Sequence, residues 1–315
     1  MKKLLLIISS VWLSLWLMGY IMDMKYKKYW WPFFEKIDVL VKDSSYYDGI
    51  FLGDSRVHFG INPKEVDSIT GYTTYNMGMG GTPVKEIEYT VNTYLKKHPA
   101  PKFAVISVGY SGIREPQKYF YNPCYYFFFS SDSLTNENLQ QAGYHTTLFK
   151  IFPFLKYTAF DDFNKLCIAQ NIQGKSILKP GGVAYKGFIN NAINTFNINP
   201  DEGVEHQDTS IAAGLTIFDK IISLLQSAKT KVLLVYPPEA TFGKKPRTIV
   251  ESRLDTAIVE IAKQHGCSLY YFDRDTSFTK NYFTDAWHLN LAGTVLYSRK
   301  IAEMINKEMS SISKR

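Results

Sequence analysis

The sequence Gly49-Ile50-Phe51-Leu52-Gly53-Asp54-Ser55-Arg56 decides the fold that we expect for this chain. An apolar run that stops abruptly at a Gly-Asp-Ser turn is typical of a buried strand over residues 48–54. A second short strand is predicted at 73–77, a helix at 83–98 and a third strand at 103–109. Strands and helices that alternate at this spacing indicate βαβ units and therefore a parallel sheet.

The alternation stops after the third strand and returns near the C-terminal third of the chain. Residues 112–205 show no βαβ rhythm, so we interpret them as a central insertion that caps or shapes a site. Helices are then predicted at 209–228, 248–265 and 291–309, with strands at 231–236 and 268–272. We therefore predict an α/β fold of three layers, with a flavodoxin-like parallel sheet of about five strands.

An apolar N-terminal stretch precedes this fold. No charged residue interrupts Leu4 to Met22, a span of about 19 residues that is close to the ~20 needed to cross a bilayer. It is longer than a secretory h-region and no Ala-x-Ala-like site follows it, which favours an uncleaved signal anchor over a cleaved peptide or a buried helix. We predict an anchor with an interfacial segment at 1–31 and an α/β domain at 32–315.

Flanking residues bear on the orientation of this anchor. Lys2 and Lys3 favour a cytoplasmic N-terminus with the α/β domain outside, although the lysines at 25–28 compete with them. Tyr26, Trp30 and neighbouring aromatic residues are expected to form an aromatic belt at the membrane interface.

The composition excludes some classes of function. Of 315 residues, 45% are hydrophobic and 21% are charged, as in ordinary globular proteins. The net charge of +7 does not indicate nucleic-acid binding, because no stripe of Lys and Arg accompanies it. The three cysteines fit no zinc pattern, and neither a metal nor a cofactor is expected. A disulfide between Cys124 and Cys167 stays open for an exported protein.

Several polar residues fall at the predicted carboxyl ends of the strands, where functional groups of open parallel sheets gather. Ser55 is a candidate nucleophile, and Asp285-x-x-His288 supplies a carboxylate and an imidazole three positions apart. Taken singly, Ser55 is equally an N-cap, His288 a loop residue and Asp285 a helix-entry carboxylate; together they favour catalysis. Arg56 either binds an anionic group of a substrate or pairs with a carboxylate such as Asp54.

These motifs resemble those of the SGNH (GDSL-like) hydrolase superfamily. Gly53-Asp54-Ser55 matches its first motif and Asp285-x-x-His288 its last, which implies that Ser55 is the nucleophile, His288 the base and Asp285 the residue that orients it. The family's second motif falls on Gly81 as an oxyanion donor, with Gly80 and Gly78 as near alternatives, and the same residues also suit a glycine-rich turn. In the third motif Ser111 stands where the family has asparagine, so either the Ser111 hydroxyl or a backbone N–H replaces that donor, or the activity is weak and specialised. Loss of one oxyanion donor typically costs on the order of 10²–10³ in rate.

The layout of one anchor followed by such a domain resembles a narrower set of bacterial proteins, including alginate O-acetylation proteins and the D-alanyl transfer protein of teichoic acid synthesis. That resemblance implies an acyl-ester enzyme in the bacterial cytoplasmic membrane, with its domain outside. Such an enzyme transfers acyl groups to, or removes them from, a cell-envelope glycan or acylated saccharide through an acyl-serine. A multi-pass membrane acyltransferase is the implied partner. The alternative is a non-catalytic glycan-binding or assembly subunit on the same scaffold.

Overall fold

The computed structural model describes residues 1–113, 118–173, 183–190, 211–240 and 249–310. The chain forms two compact units. We call Met1–Val41 with Asn122–Lys179 the anchor unit, and Lys42–Tyr121 with Pro180–Arg315 the sheet unit. The predicted division into 1–31 and 32–315 stays a prediction.

Among the described residues, the strands belong to the sheet unit, and the anchor unit is helical. The helices are α1 (Lys2–Tyr29), α2 (Trp31–Lys42), α3 (Ser55–His58), α4 (Pro63–Thr70), α5 (Val84–Lys97), α6 (Tyr110–Ile113), α7 (Ser133–Gln141), α8 (Thr146–Ile151), α9 (Asp162–Ile172), α10 (Ala212–Ser227), α11 (Ile249–Gln264) and α12 (Leu291–Ser310). The strands are β1 (Gly49–Leu52), β2 (Thr74–Asn76), β3 (Phe103–Ser107), β4 (Val183–Tyr185), β5 (Phe188–Asn190), β6 (Lys231–Tyr236) and β7 (Ser268–Tyr271). Short 3₁₀ helices cover Pro123–Phe129, Pro153–Ala159, Phe272–Arg274 and Lys280–Tyr282.

Five strands of the sheet unit form one parallel sheet in the order β2-β1-β3-β6-β7. In the register of the sheet, Ile50 lies opposite Ala104, and Ala104 lies opposite Val232. β4 and β5 pair with each other as a separate antiparallel hairpin. When the five strands of the parallel sheet are counted in chain order without this hairpin, their spatial order is the 2-1-3-4-5 order of flavodoxin-like sheets. The predicted fold class is confirmed.

Both faces of this sheet are buried, as the continuous apolar runs of β1, β3 and β6 predict. On one face Phe51, Val105 and Leu233 join a core that includes Val66 of α4 and Ile301 of α12. The residues that alternate with them along the strands point to the other face and are also buried: Ile50, Leu52, Ala104, Ile106, Val232 and Leu234. On that other side α10 contacts β6 and packs against α5. The sheet therefore lies between two helical layers.

The anchor unit is built around the C-terminal part of α1. Tyr26 is fully buried, and its ring packs on Phe34, Tyr125, Phe128 and Phe160 at centroid distances of 5.0–6.4 Å. Its hydroxyl donates a hydrogen bond to Asn164. The predicted aromatic belt is therefore wrong for Tyr26 and also for Tyr29 and Trp30, because these rings are buried against protein.

The predicted insertion contains two different structures among its described residues. Residues 122–173 carry α7, α8 and α9 within the anchor unit, whereas β4 and β5 belong to the sheet unit. Its capping of a site stays a prediction. Cys124 and Cys167 are buried free thiols rather than a disulfide, and burial raises the pKa of Cys124 to about 12.

Candidate active site

The turn after β1 presents Ser55 at the first position of α3. Gly53 has a φ of +149°, and a Cβ there would lie 2.7 Å from both Ser107 and Val57, so only glycine fits. The side chain of Asp54 then caps α3 by accepting a hydrogen bond from the Arg56 backbone N–H at 3.0 Å. The Gly-Asp-Ser sequence thus produces a sharp strand-to-helix turn with the serine hydroxyl at its apex.

The structure brings the three predicted catalytic residues into one hydrogen-bonded chain. His288 Nε2 lies 2.8 Å from Ser55 Oγ, and His288 Nδ1 lies 2.7 Å from Asp285 Oδ2. Because a carboxylate only accepts, Nδ1 carries the proton that it donates to Asp285. Nε2 is then the acceptor for the Ser55 hydroxyl, which is the arrangement that an activated nucleophile requires.

The loop that carries Asp285 and His288 is held by its own backbone. Asp285 Oδ1 accepts hydrogen bonds from the backbone N–H groups of Trp287 and His288, both at 2.7 Å. Burial raises the pKa of the Asp285 carboxyl, but these bonds and the His288 ring lower it by more, so the pKa lies below its usual range. Phe283 and Leu289 close the loop as an antiparallel bridge. Asp285 is therefore a fixed carboxylate.

Arg56 is part of a buried charge cluster directly behind the nucleophile. Its guanidinium donates to Asp54 at 3.0–3.3 Å and to Glu239 at 3.2 Å. The three side chains are only 9%, 12% and 15% exposed. Gly109 makes room for the cluster, because a Cβ there would come within 1.9 Å of Arg56 Nη2.

The cluster bears on the two alternatives for Arg56. Pairing with Asp54 is observed, whereas binding of an anionic substrate group stays a prediction. Burial raises the pKa of the Asp54 carboxyl, but the Arg56 guanidinium lowers it by more, so Asp54 is ionised. Glu239 was not among the predicted site residues; its position just beyond Pro237-Pro238, at the carboxyl end of β6, was the available signal.

The glycine-rich turn after β2 is tied to the nucleophile turn. Met79 N–H donates to Gly53 O at 3.1 Å, and Thr82 Oγ1 donates to Met79 O at 2.6 Å. Asn76 Nδ2 donates to Val57 O at 2.8 Å and so fastens α3. Gly81 has a φ of +72°, and a Cβ there would lie 2.5 Å from the ring of Tyr121. Its role as an oxyanion donor stays a prediction.

Ser111 lies in α6, but its side chain is outside the described part of the structure. The prediction that its hydroxyl replaces the family's asparagine therefore stays untested. Among the described residues, no group of three or more His, Cys, Asp or Glu side chains is arranged to hold a metal ion.

The site lies at a depression in the surface. Its lining includes Ser55 and His288 together with Phe59, Pro238 and Trp287. Trp287 is 52% exposed, although tryptophan is usually well buried. The site therefore presents its nucleophile beside an exposed indole ring.

Comparison with known proteins finds likeness only among solved structures; no family model and no curated protein matches the chain. A lipase/acylhydrolase from Enterococcus faecalis is 14% identical with a TM-score of 0.42, covering 82% of this chain and 96% of that chain. The acetyl xylan esterase AlAXEase is 13% identical with a TM-score of 0.41, covering 82% and 96%. A GDSL-like lipase from Bacteroides thetaiotaomicron is 11% identical with a TM-score of 0.40, covering 88% and 99%. At these identities and TM-scores, the function of this chain has to be argued from its own side chains.

Proposed function

We propose that this protein is a membrane-anchored serine enzyme that handles acyl esters of a cell-envelope glycan outside the bacterial cytoplasmic membrane. The observation that carries the proposal is the hydrogen-bonded chain from Ser55 through His288 to Asp285. Ser55 and His288 are 233 positions apart, yet their polar atoms meet at 2.8 Å. The N-cap of α3 is Asp54 rather than Ser55, so helix capping does not explain the serine at this position.

The geometry supports a two-step acyl transfer. Ser55 Oγ attacks the ester carbonyl while its proton passes to His288 Nε2, and the new O–C bond gives a tetrahedral intermediate. His288 then returns the proton to the departing alcohol oxygen as the ester C–O bond breaks, which leaves an acyl-serine. Asp285 stays ionised throughout and stabilises the imidazolium.

The second step decides between hydrolysis and transfer. Water or a sugar hydroxyl attacks the acyl-serine while His288 accepts its proton, and Ser55 is released as the proton returns. The developing oxyanion is assigned to the backbone N–H of Ser55, at the start of α3, with the Gly81 N–H and the Ser111 hydroxyl as further donors. These donors are part of the proposal.

The glycan and membrane parts of the proposal have separate support. The exposed indole of Trp287 beside His288 suits a sugar chain, because tryptophan buries a large apolar face against its partner. In the part of the chain that the structure describes, α1 is long and apolar enough to cross a membrane. A multi-pass acyltransferase that delivers the acyl group is the partner that this arrangement would need for transfer.

Turnover of p-nitrophenyl acetate by the full-length protein in detergent tests the proposal. Ser55→Ala should abolish release of p-nitrophenol above the background rate. Ser277→Ala is the matched control, because Ser277 Oγ donates to Asp275 at an exposed position away from the triad. Equal turnover by Ser55→Ala and the unaltered protein would refute the nucleophile assignment. No turnover by the unaltered protein, with glycan binding retained by Ser55→Ala, would favour the non-catalytic alternative.

A further inference from the structure

The two halves of the candidate active site come from different segments of the chain. Ser55 begins α3, whereas Asp285 and His288 lie in the loop before α12. This loop is closed within itself, because the Thr284 N–H donates a hydrogen bond to His288 O at 2.8 Å. A bond inside the loop shapes it but does not place it against α3. Contacts outside the loop must therefore help to set the distance between Ser55 Oγ and His288 Nε2.

The segment that follows β6 holds this loop through its backbone. The Ala240 N–H donates a hydrogen bond to Ala286 O at 3.1 Å, and Ala240 is only 4% exposed. Ala286 comes directly after Asp285 in the chain. Pro237-Pro238 connects β6 to this segment, and each proline ring fixes its own φ, which stiffens the connection. Ala240 therefore ties the loop that carries the histidine to the end of a central strand.

The same segment holds the nucleophile helix through a side chain. Glu239 Oε1 accepts a hydrogen bond from Arg56 Nη1 at 3.2 Å, and the two side chains are 15% and 9% exposed. Arg56 directly follows Ser55, and its Nη2 donates to Asp54, the residue before the serine, at 3.0 Å. Solvent ions screen a buried ion pair much less than an exposed one. Glu239 therefore joins the start of α3 firmly to the segment after β6.

Two consecutive residues thus hold both halves of the site. Glu239 holds the nucleophile helix, Ala240 holds the histidine loop, and neither contact uses the bond between the serine and the histidine. A further contact joins α12 to the other end of α3, because Thr294 Oγ1 donates to Phe59 O at 3.0 Å. That bond lies at the C-terminal end of α3. The end of α3 that carries the nucleophile is therefore linked to the histidine loop through Glu239.

We infer that Glu239 is a positioning residue that fixes the distance between Ser55 Oγ and His288 Nε2. This inference rests on the catalytic part of the proposed function and extends it beyond the triad. Glu239 is not among the residues that line the depression beside Ser55, so its effect on the reaction is exerted through Arg56 and Ala240. A misplacement of about 1 Å in an active site can lower the rate about 10²-fold.

Substitutions that change the reach and the charge of Glu239 separately test this role in the full-length protein. Glu239→Asp keeps the charge on a side chain one methylene shorter, whereas Glu239→Gln keeps the length and an accepting oxygen without the charge. We expect Glu239→Ala and Glu239→Asp to lower kcat for p-nitrophenyl acetate about 10²-fold with KM nearly unchanged, and Glu239→Gln to restore most of kcat. Glu88→Ala is the matched control, because Glu88 is 19% exposed and pairs at 2.6 Å with Lys220, between α5 and α10. Its kcat should equal that of the unaltered protein.

The ¹⁵N resonance of His288 Nε2 reports the same contact without turnover. It is identified by its absence from His288→Gln, and Ser55→Ala gives its position without the serine hydroxyl. In Glu239→Ala and Glu239→Asp the resonance should move toward the position that it has in Ser55→Ala. In Glu239→Gln and Glu88→Ala it should stay where it is in the unaltered protein.

The two measurements distinguish the positioning role from the proposed activity. An unmoved His288 resonance in folded Glu239→Asp would overturn the positioning role, and so would a kcat that Glu239→Asp keeps and Glu239→Gln loses. This pair decides even if Glu239→Ala does not fold. Resonances that shift as expected in a protein without turnover would support the positioning role and refute only the activity. A single Nε2 position in the unaltered protein and Ser55→Ala would refute both, because the bond between serine and histidine would then be absent.

Discussion

Replacement of Asp285 by asparagine tests whether Asp285 holds His288 in the tautomer that accepts the Ser55 proton. The amide oxygen of asparagine can still accept from the backbone N–H groups of Trp287 and His288, so the loop keeps its hydrogen bonds. The amide NH₂ then faces His288 Nδ1 at the position of Oδ2, where it donates. His288 must therefore move its proton to Nε2, which points at Ser55 Oγ across 2.8 Å and can no longer accept.

The expected loss follows from this wrong tautomer. In serine proteases the same substitution lowers kcat by about 10⁴ with the geometry intact. That factor corresponds to about 5.5 kcal/mol of transition-state stabilisation. We expect a loss of the same order for Asp285→Asn in steady-state hydrolysis of p-nitrophenyl acetate, measured on protein that is shown to be folded.

Asp275→Asn is the matched control, because Asp275 also accepts a backbone N–H, that of Ser277 at 3.0 Å, but lies outside the triad. Its kcat should equal that of the unaltered protein. An Asp285→Asn protein that is folded and keeps kcat within about tenfold would refute the assigned tautomer and with it the role of Asp285.

Three further predictions concern the charges and the glycine beside the nucleophile. Arg56→Ala should lower the free energy of unfolding by about 3–5 kcal/mol, because it removes the buried guanidinium that pairs with the carboxylates of Asp54 and Glu239; urea denaturation measures this. Gly109→Ala should cost about 1–3 kcal/mol in the same assay and lower kcat, because the added methyl group meets the Arg56 guanidinium. The pKa values of Asp54 and Asp285 lie below the ordinary value, so the stability that these carboxylates confer is present above about pH 4 and is lost as the pH falls through their folded-state pKa. Thermal unfolding across this range should show the loss, and Asp54→Asn should reduce its slope.

Matched variants distinguish these effects from the loss of stability that any substitution can cause. Arg299→Ala removes an exposed pair with Glu65 and should change the free energy of unfolding by less than about 1 kcal/mol. Gly112→Ala meets nothing closer than Thr82 O at 3.4 Å and should be tolerated far better than Gly109→Ala. Arg56→Ala with unchanged stability, or an acid transition identical in Asp54→Asn, would contradict the account of the buried cluster.

The sheet and the meeting of Ser55, His288 and Asp285 were predictable because both depend on short, local signals. The strands β1, β3 and β6 are buried on both faces, so each is a continuous apolar run whose end is marked in the sequence by the first polar or turn residue. Because the strands are parallel, their carboxyl ends lie at the same edge of the sheet. Ser55 lies in a distinctive motif at such an end, and His288 lies in a second distinctive motif shortly before α12.

Other features depend on contacts between distant residues that no local pattern records. Arg56 pairs with Glu239, which is 183 residues away in the chain. The pair depends on β3 and β6 being neighbours in the sheet, and on Gly109 after β3 leaving room for the guanidinium. Likewise, Tyr26 follows an apolar helix and reads as an interfacial residue. It is buried because Tyr125, Phe128 and Phe160, roughly 100 to 130 residues later, return to pack on α1.

The central claim is that Ser55 accepts an acyl group, and covalent trapping measures this directly. The full-length protein is treated with a fluorophosphonate, digested and analysed by mass spectrometry, alongside Asp285→Asn. We predict one phosphonyl adduct, on the peptide that contains Ser55, with a much slower rate in Asp285→Asn. An adduct on another residue, or no adduct on a folded protein, would contradict the account.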